Sequence, residues 1–248
     1  MAIAFVASTG VSAHVEPADP CTTGAVNTTG AQLLIVTIGS YPDNGGAGLS
    51  EVVTVTDSKG NTWTRAGTVS TIAGSDQTQI WYSVPTSSKV GESHTFSGDF
   101  EASTYATVCA AAYNGFTGTP TLDQVTGATG SGTALDGGNL VTTVADSLII
   151  GTGTHLDGGG SGSGFTAGTN FTIRGQYSNS SVTATNYLED RVVAATGTYA
   201  TPATATGSAG WAARGANFYD LVAGGAANPK GPIDGIMFAG PLRRAVDQ

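Results

Sequence analysis

One strand pattern is written twice along this chain. Gly60-Asn-Thr-Trp-Thr-Arg-Ala-Gly67 recurs without a gap as Gly168-Thr-Asn-Phe-Thr-Ile-Arg-Gly175, with aromatic Trp63 falling on aromatic Phe171. Upstream, Leu33-Leu-Ile-Val-Thr-Ile-Gly39 corresponds to Leu148-Ile-Ile-Gly-Thr-Gly-Thr154, and each then enters an acidic glycine loop, Asp43-Asn-Gly-Gly or Asp157-Gly-Gly-Gly. Downstream, the strand ending Ala110-Ala-Ala-Tyr-Asn114 corresponds to the one ending Arg214-Gly-Ala-Asn-Phe-Tyr219. Apolar and aromatic positions match, and not only the common residues, so a duplicated unit is expected, with half-repeats at about 30–115 and 145–221.

The residues available restrict what that unit can be. The 248 residues include 37 glycines and as many threonines, whereas charged residues are only 11%, against roughly 25% in an average domain. Threonine, valine, isoleucine and tyrosine suit a pleated, half-buried surface, and glycine suits tight turns. Leucine, lysine, glutamate and glutamine, the helix formers, are scarce. The expected class is therefore all-β, and 40% hydrophobic residues with so little charge argue against disorder. Alternation and turn residues predict strands at 3–7, 32–41, 51–57, 62–71, 78–85, 93–97 and 102–113. The second half adds 140–143, 147–155, 171–177, 185–193, 197–203 and 210–219. Asp57-Ser-Lys-Gly60 has the residues of a tight hairpin turn. Long antiparallel strands of this kind pack as an antiparallel β-sandwich, jelly-roll-like, with apolar inner faces.

A net charge of −9 opposes a phosphate backbone over most of the surface, so nucleic acid is not an expected partner. No apolar run reaches eighteen residues, so no membrane-spanning helix is expected. The apolar start, Met1-Ala-Ile-Ala-Phe-Val-Ala-Ser, lacks a basic region and reads as a first strand rather than an export signal. Cys21 and Cys109 are the only cysteines and read as free thiols, Cys109 as a small buried hydrophobe.

A search for reactive groupings returns little. There is no H-E-x-x-H, C-x-x-C, G-x-S-x-G or phosphate-binding loop. His14, His94 and His155 are far apart and are expected at the surface or at strand edges. Glu189 and Asp190 are adjacent, so in a strand they point to opposite faces and cannot form a glycosidase pair. A solvated strand with an ion pair to Arg191 or Arg174 is the expectation there. Calcium, a minor candidate, would be bound by Asp43 and Asp157 in the two glycine loops, although neither has the spaced acids of a calcium loop. No other cofactor is expected, and no catalytic residue is assigned. In Gln79-Ile-Trp-Tyr-Ser-Val84, Ile80, Tyr82 and Val84 share the core face, which leaves Trp81 as an exposed aromatic able to contact a sugar. Trp63 and Trp211 read as core.

Asp57-Ser-Lys-Gly-Asn-Thr-Trp-Thr64, Ile80-Trp-Tyr-Ser-Val84, Gly91-Glu-Ser-His-Thr-Phe96 and Ala106-Thr-Val-Cys-Ala-Ala-Ala-Tyr-Asn-Gly-Phe116 carry a resemblance across residues 3–221. Ala145-Asp-Ser-Leu-Ile-Ile-Gly-Thr-Gly153, Asn186-Tyr-Leu-Glu-Asp-Arg-Val-Val193 and Trp211 complete it. Together they resemble a recurrent jelly-roll or immunoglobulin-like sandwich domain of bacterial surface proteins and phage structural proteins. The resemblance implies a display, decoration or sugar-contacting role rather than a reaction, and a fold supports only a prior on function.

After the sandwich, at 1–221, the strand pattern stops. Residues 222–232 read as a glycine- and proline-containing linker. Residues 233–248, Ile233-Asp-Gly-Ile-Met-Phe-Ala-Gly-Pro-Leu-Arg-Arg-Ala-Val-Asp-Gln248, are too short for a core of their own. They read as an extended C-terminal docking arm: Ile236, Met237, Phe238 and Leu242 would bury against a partner, and Arg243 and Arg244 would meet its carboxylates. The alternative is a tail folded back on its own sandwich. The leading expectation is a bacteriophage virion protein, a capsid decoration or head/tail surface component. Its partners would be other virion proteins, as a homo-oligomer or bound to the capsid. An extracellular adhesin that contacts a cell-surface glycan through Trp81 is the alternative, and a polysaccharide hydrolase ranks third.

Overall fold

The computed structural model describes residues 2–8, 12–13, 20–42, 52–72, 76–100, 104–156, 164–177 and 185–221. The strands are β1 (Ala4–Ser8), β2 (Ser12–Ala13), β3 (Cys21–Thr22), β4 (Leu33–Pro42), β5 (Val52–Asp57), β6 (Thr64–Arg65), β7 (Ser70–Thr71) and β8 (Gln77–Ser83). They continue with β9 (Phe96–Phe100), β10 (Thr104–Asn114), β11 (Thr119–Thr142), β12 (Ser147–His155), β13 (Phe165–Ala167), β14 (Thr172–Tyr177), β15 (Asn186–Val193) and β16 (Gly197–Leu221). One turn of 3-10 helix, Ser87–Lys89, is the sole helical element among the described residues. The all-β, antiparallel class expected from the sequence is what the chain adopts.

The two halves share one connectivity. One sheet runs β1-β10-β4-β8-β6, and the other runs β11-β16-β12-β15-β14. These orders correspond strand for strand: β1 with β11, β10 with β16, β4 with β12, β8 with β15 and β6 with β14. The first half also forms a small sheet, β3-β9-β5. Its counterpart in the second half comes from two very long strands. The β11–β16 register breaks between Gly132 and Ala134, and beyond it Ala134–Thr142 pairs with the start of β16, which in turn pairs with β13. This second stretch folds back over its own sheet. A Cβ at Gly137 would come within 2.5 Å of the Arg214 backbone, so glycine is what lets the layers touch there. The repeated unit thus reaches beyond the matching sequence, from β1 to β10 and from β11 to β16.

Four clusters of buried side chains define the layers. Leu33, Ile35, Ile80 and Tyr113 of the first large sheet meet Leu148, Ile150, Leu188 and Phe218 of the second. On its other face the first large sheet packs Leu34, Val36, Trp81 and Val108 against Phe96 and Phe100 of the small sheet. The second large sheet likewise packs Tyr187, Trp211 and Ile149 against Leu135, Phe165, Ala203 and Leu140 of its folded-back ribbon. The order is outer layer, large sheet, large sheet, outer layer. Both large sheets are therefore covered on both sides, and every residue of β12 is buried.

Several expectations are corrected by this layering. The strand expected at 62–71 is two short edge strands, β6 and β7, and the two expected at 197–203 and 210–219 are one bent strand. Most of β11 was not foreseen, because its glycine-, threonine- and alanine-rich text carries no apolar alternation. Cys21 and Cys109 are buried and are not joined to each other in a disulfide; they lie in clusters on opposite faces of the first large sheet. The linker at 222–232 and the arm at 233–248 lie outside the described residues.

A polar seam lies within the central apolar layer. Asn186 Nδ2 donates to the Thr37 carbonyl at 3.0 Å and lies 3.5 Å from Cys109 Sγ, while Thr152 Oγ1 is 2.9 Å from Asn186 Oδ1. A buried amide with its partners in place fixes how two sheets slide on each other, whereas apolar contacts alone tolerate slippage. Leu148 and Val192 are register partners across β12 and β15, yet Leu148 is enclosed and Val192 is 46% exposed. Replacing Leu148 by Ala is expected to cost about 2–5 kcal/mol, and Val192→Ala no more than about 0.5 kcal/mol, measured by urea unfolding.

Candidate functional site

Trp81 was expected to face solvent, and it does not. At 8% exposure it lies between the first large sheet and its outer layer, donating Nε1–H to Gln79 Oε1 at 2.9 Å. Alternation correctly put Ile80 in the core but assumed that the opposite face was wet, and here both faces are dry. Trp211 is buried as expected, whereas Trp63 is only partly so.

The histidines are a second correction. His94 and His155 are fully enclosed, whereas edge or surface positions were expected; His14 lies outside the described residues. Each has work that compensates its burial. His155 Nε2 accepts the Ala209 amide at 3.1 Å. His94 stacks on Phe96 with ring centroids 4.3 Å apart, lies 2.8 Å from Thr28 Oγ1 through Nδ1, and is 3.2 Å from Asp57 Oδ1 through Nε2.

Asp57 lies at the centre of a polar cluster. Its Oδ1 accepts the Lys59 amide at 2.8 Å and the Asn61 amide at 3.3 Å, and its Oδ2 accepts Trp63 Nε1–H at 2.7 Å. Burial pushes this carboxyl's pKa up, but His94 and the other donors outweigh it, so the result lies well below the usual aspartate range. The sequence showed this residue only as the start of a turn; the pairing with His94, thirty-seven positions later, arises because Asp57 ends β5 and His94 precedes β9, its neighbour.

Thr28, His94 and Asp57 have the hydroxyl–imidazole–carboxylate order of an acyl-transfer relay. Their geometry is that of a structural tie. Thr28 Oγ1 accepts the Gly91 amide at 3.1 Å and sits 3.3 Å from the Gly91 carbonyl, and all three side chains are enclosed. The hydroxyl is committed to the backbone and lies where no substrate carbonyl reaches it.

Glu189 and Asp190 point to opposite faces as expected, but both are buried rather than solvated. Asp190 faces the central layer and pairs with Arg174, Nε to Oδ2 at 2.8 Å, and the Arg174 guanidinium also lies 4.1 Å from the Phe5 ring centroid. The nearby Tyr113 hydroxyl is raised well above its ordinary pKa by burial and by the Asp190 charge. Glu189 faces the outer layer. Its Oε2 accepts the Gly168 amide at 3.0 Å, while Oε1 has no hydrogen-bond partner. Burial raises its pKa to about 8, despite the Gly168 amide and with a smaller contribution from the Asp190 charge. The two carboxyl groups are separated by their own sheet, so they cannot flank one glycosidic bond.

Arg214 spans the central layer from β16, with Nη1 donating to Ser70 Oγ at 3.1 Å and Nη2 to the Ala66 carbonyl at 3.4 Å. Burial, with some help from Arg65, lowers its pKa to about 10, which leaves it charged at neutral pH.

Two open clefts adjoin the start of β1. One, about 390 Å3, is lined by Ala2, Ala4, Gln32, Asn114 and Phe116; the other, about 260 Å3, by Ile3, Thr117, Val144, Asp146 and Asp220. Much of their polar lining is already used: the Gln32 side-chain amide exchanges hydrogen bonds with the Phe116 backbone, and Asp220 accepts the Thr117 and Gly118 amides. Among the described residues no group of three or more His, Cys, Asp or Glu side chains could hold a metal. The glycine loops bearing Asp43 and Asp157, considered for calcium, lie outside the described residues, as do Ile236, Met237, Phe238, Leu242, Arg243 and Arg244 of the arm.

If the Thr28 hydroxyl is a tie, removing it should cost stability. Thr28→Val leaves His94 Nδ1 buried without its partner and is expected to lose about 1–3 kcal/mol in urea unfolding; Thr28→Ser, which keeps the hydroxyl, should lose distinctly less.

No protein-family model, no curated protein and no solved structure matches this chain.

Proposed function

We propose that this protein is a structural component of a bacteriophage virion, a capsid decoration or head/tail surface protein that docks through residues 233–248. The observation that carries this reading is the placement of the ionisable side chains with most chemical potential. Asp57, His94, His155, Glu189, Asp190 and Arg214 all lie inside the layers, each with a contact that ties strand to strand or layer to layer. A body whose polar groups are spent internally is a rigid building block, suited to bearing load or displaying a surface. On this reading it exerts no catalysis.

The arm supplies the attachment. Its six large apolar residues and the Arg243-Arg244 pair give a short segment something to bury and something to pair, the combination that suits a groove on a neighbouring acidic protein. A homo-oligomer or a capsid-bound copy would both satisfy it.

A glycan-contacting reading has one observation in its favour, though not at the residue first considered. Trp81 is enclosed, but Tyr41 and Tyr105, paired across β4 and β10 with ring centroids 6.5 Å apart, are both partly exposed at one end of the sandwich. Aromatic faces at such a position could stack on a sugar. Loss of glycan-array binding in Tyr41→Ala/Tyr105→Ala would favour this reading over the structural one.

Deleting residues 233–248 is expected to leave the unfolding midpoint of the body within a few degrees of the full chain, because all four clusters lie before residue 222. In purified particles of a phage that encodes the chain, the full-length protein should be retained and the truncated one lost. Equal retention of the truncated protein would defeat the docking role.

A further inference from the structure

Each repeat has a turn that carries the chain from its outer layer to the edge of its large sheet, and a buried carboxyl group sits at each turn. In the first repeat the turn joins β5 to β6 and Asp57 holds it. In the second it joins β13 to β14 at the equivalent sequence, Gly168 matching Gly60, and Glu189 holds it. The anchoring residues are not equivalent: strand pairing puts Glu189 where the first repeat has Trp81, since Arg65 pairs with Trp81 and Ile173 with Glu189.

The surroundings of the two carboxyl groups differ in one decisive way. Asp57 accepts two backbone amides and an indole N–H, with the His94 ring nitrogen 3.2 Å away. A carboxylate with that many donors is held ionised. Glu189 has the Gly168 amide alone. Its second oxygen is enclosed without a partner, and at Gly151 a Cβ would come within 2.7 Å of it. A buried carboxyl group with one donor is held protonated.

The charged and titratable neighbours reinforce the contrast. Around Glu189 they are Asp190 on the same strand, Tyr187 on the same face, Asp136 of β11 near that ring, and Arg191, two residues along the same face, whose guanidinium is taken up over the Phe171 and Tyr199 rings. β12 and β14 present only Gly151 and Ile173. Around Asp57 they are His94, and Lys89, whose ammonium donates to the Gly60 carbonyl of the same turn; Lys59 contributes its backbone amide.

We propose that the two turns are pH-dependent latches of opposite sign, the Asp57 turn releasing the first outer layer in acid and the Glu189 turn releasing the second in alkali. For Asp57, whose folded pKa is depressed, the stabilisation is complete above the ordinary aspartate range and disappears as pH falls below it. For Glu189, raised from 4.5 to about 8, it is complete below 4.5 and is lost as pH climbs to about 8. This inference concerns the body alone and stands or falls independently of the virion reading.

Hydrogen exchange of the full-length chain at pH 3, 6.5 and 9, corrected for intrinsic exchange rates, tests it directly. Peptides spanning 57–64 should lose protection at pH 3 while those spanning 167–172 keep theirs, and the reverse should hold at pH 9. A single linked proton changes each opening constant by at most about tenfold per pH unit, so a loss somewhat under tenfold is expected for the Asp57 turn at pH 3, and one of about ten- to a hundredfold for the Glu189 turn between pH 6.5 and 9. Glu189→Gln, uncharged at every pH, should abolish the alkaline opening and leave the acid one. Trp63→Phe, which removes one donor from Asp57, should shift the acid opening to higher pH without touching 167–172. Opening of both peptides together at either extreme, or an alkaline opening that survives Glu189→Gln, would overturn the proposal.

Discussion

The face-to-face burial of the two large sheets is the constraint on which everything else in this molecule rests. Each sheet has a second apolar face, covered by its own outer layer, so the central strands have no solvent side. Leu33 to Ser40 of β4 and all of β12 are enclosed. Under that condition a polar side chain on a central strand is costly unless its hydrogen-bond partner comes with it, and Glu189 Oε1 is a place where that cost is carried. The Asn186–Thr37–Thr152 seam, the Arg174–Asp190 pair and the Arg214–Ser70 contact are all consequences of that rule.

The duplication is what makes the constraint satisfiable. A single repeat is a large sheet with one outer layer, and it leaves one broad apolar face uncovered. Two copies in one chain supply that cover for each other, as repeats of one supersecondary unit do when they stack. The two halves differ in how they secure the same turn, through Asp57 and His94 in one and through Glu189 in the other. The difference lies in the outer layers, away from the shared central interface, where a change in one repeat does not disturb the packing of the other.

Asp57, His94, Glu189, Asp190 and Arg214 are held inside the layers by contacts between elements. With charged residues at 11%, several of the ionisable side chains are taken up in holding layers together. The proposed structural role needs nothing more from them than that, and it assigns attachment to residues 233–248, which lie outside the described residues.

Much of the fold was legible in the sequence. Glycine- and threonine-rich alternation, the scarcity of helix formers and the match of Trp63 with Phe171 determined an all-β chain with a repeated unit, since strand preference and period-two patterning are local properties. The opposed directions of Glu189 and Asp190 followed equally from strand geometry. What escaped was whatever depends on the number of layers. Trp81, His94, His155 and Glu189 were each assigned to a wet face because alternation identifies two faces but not what covers the second one. The bent ribbon of β11 and β16 was hidden because glycine-rich text has no apolar rhythm to read. Only the tertiary structure decided that four layers, not two, enclose these side chains. It also decided that Asp57 meets His94 across thirty-seven residues, because burial and long-range pairing are set by which elements stack, and stacking is not written in any single strand.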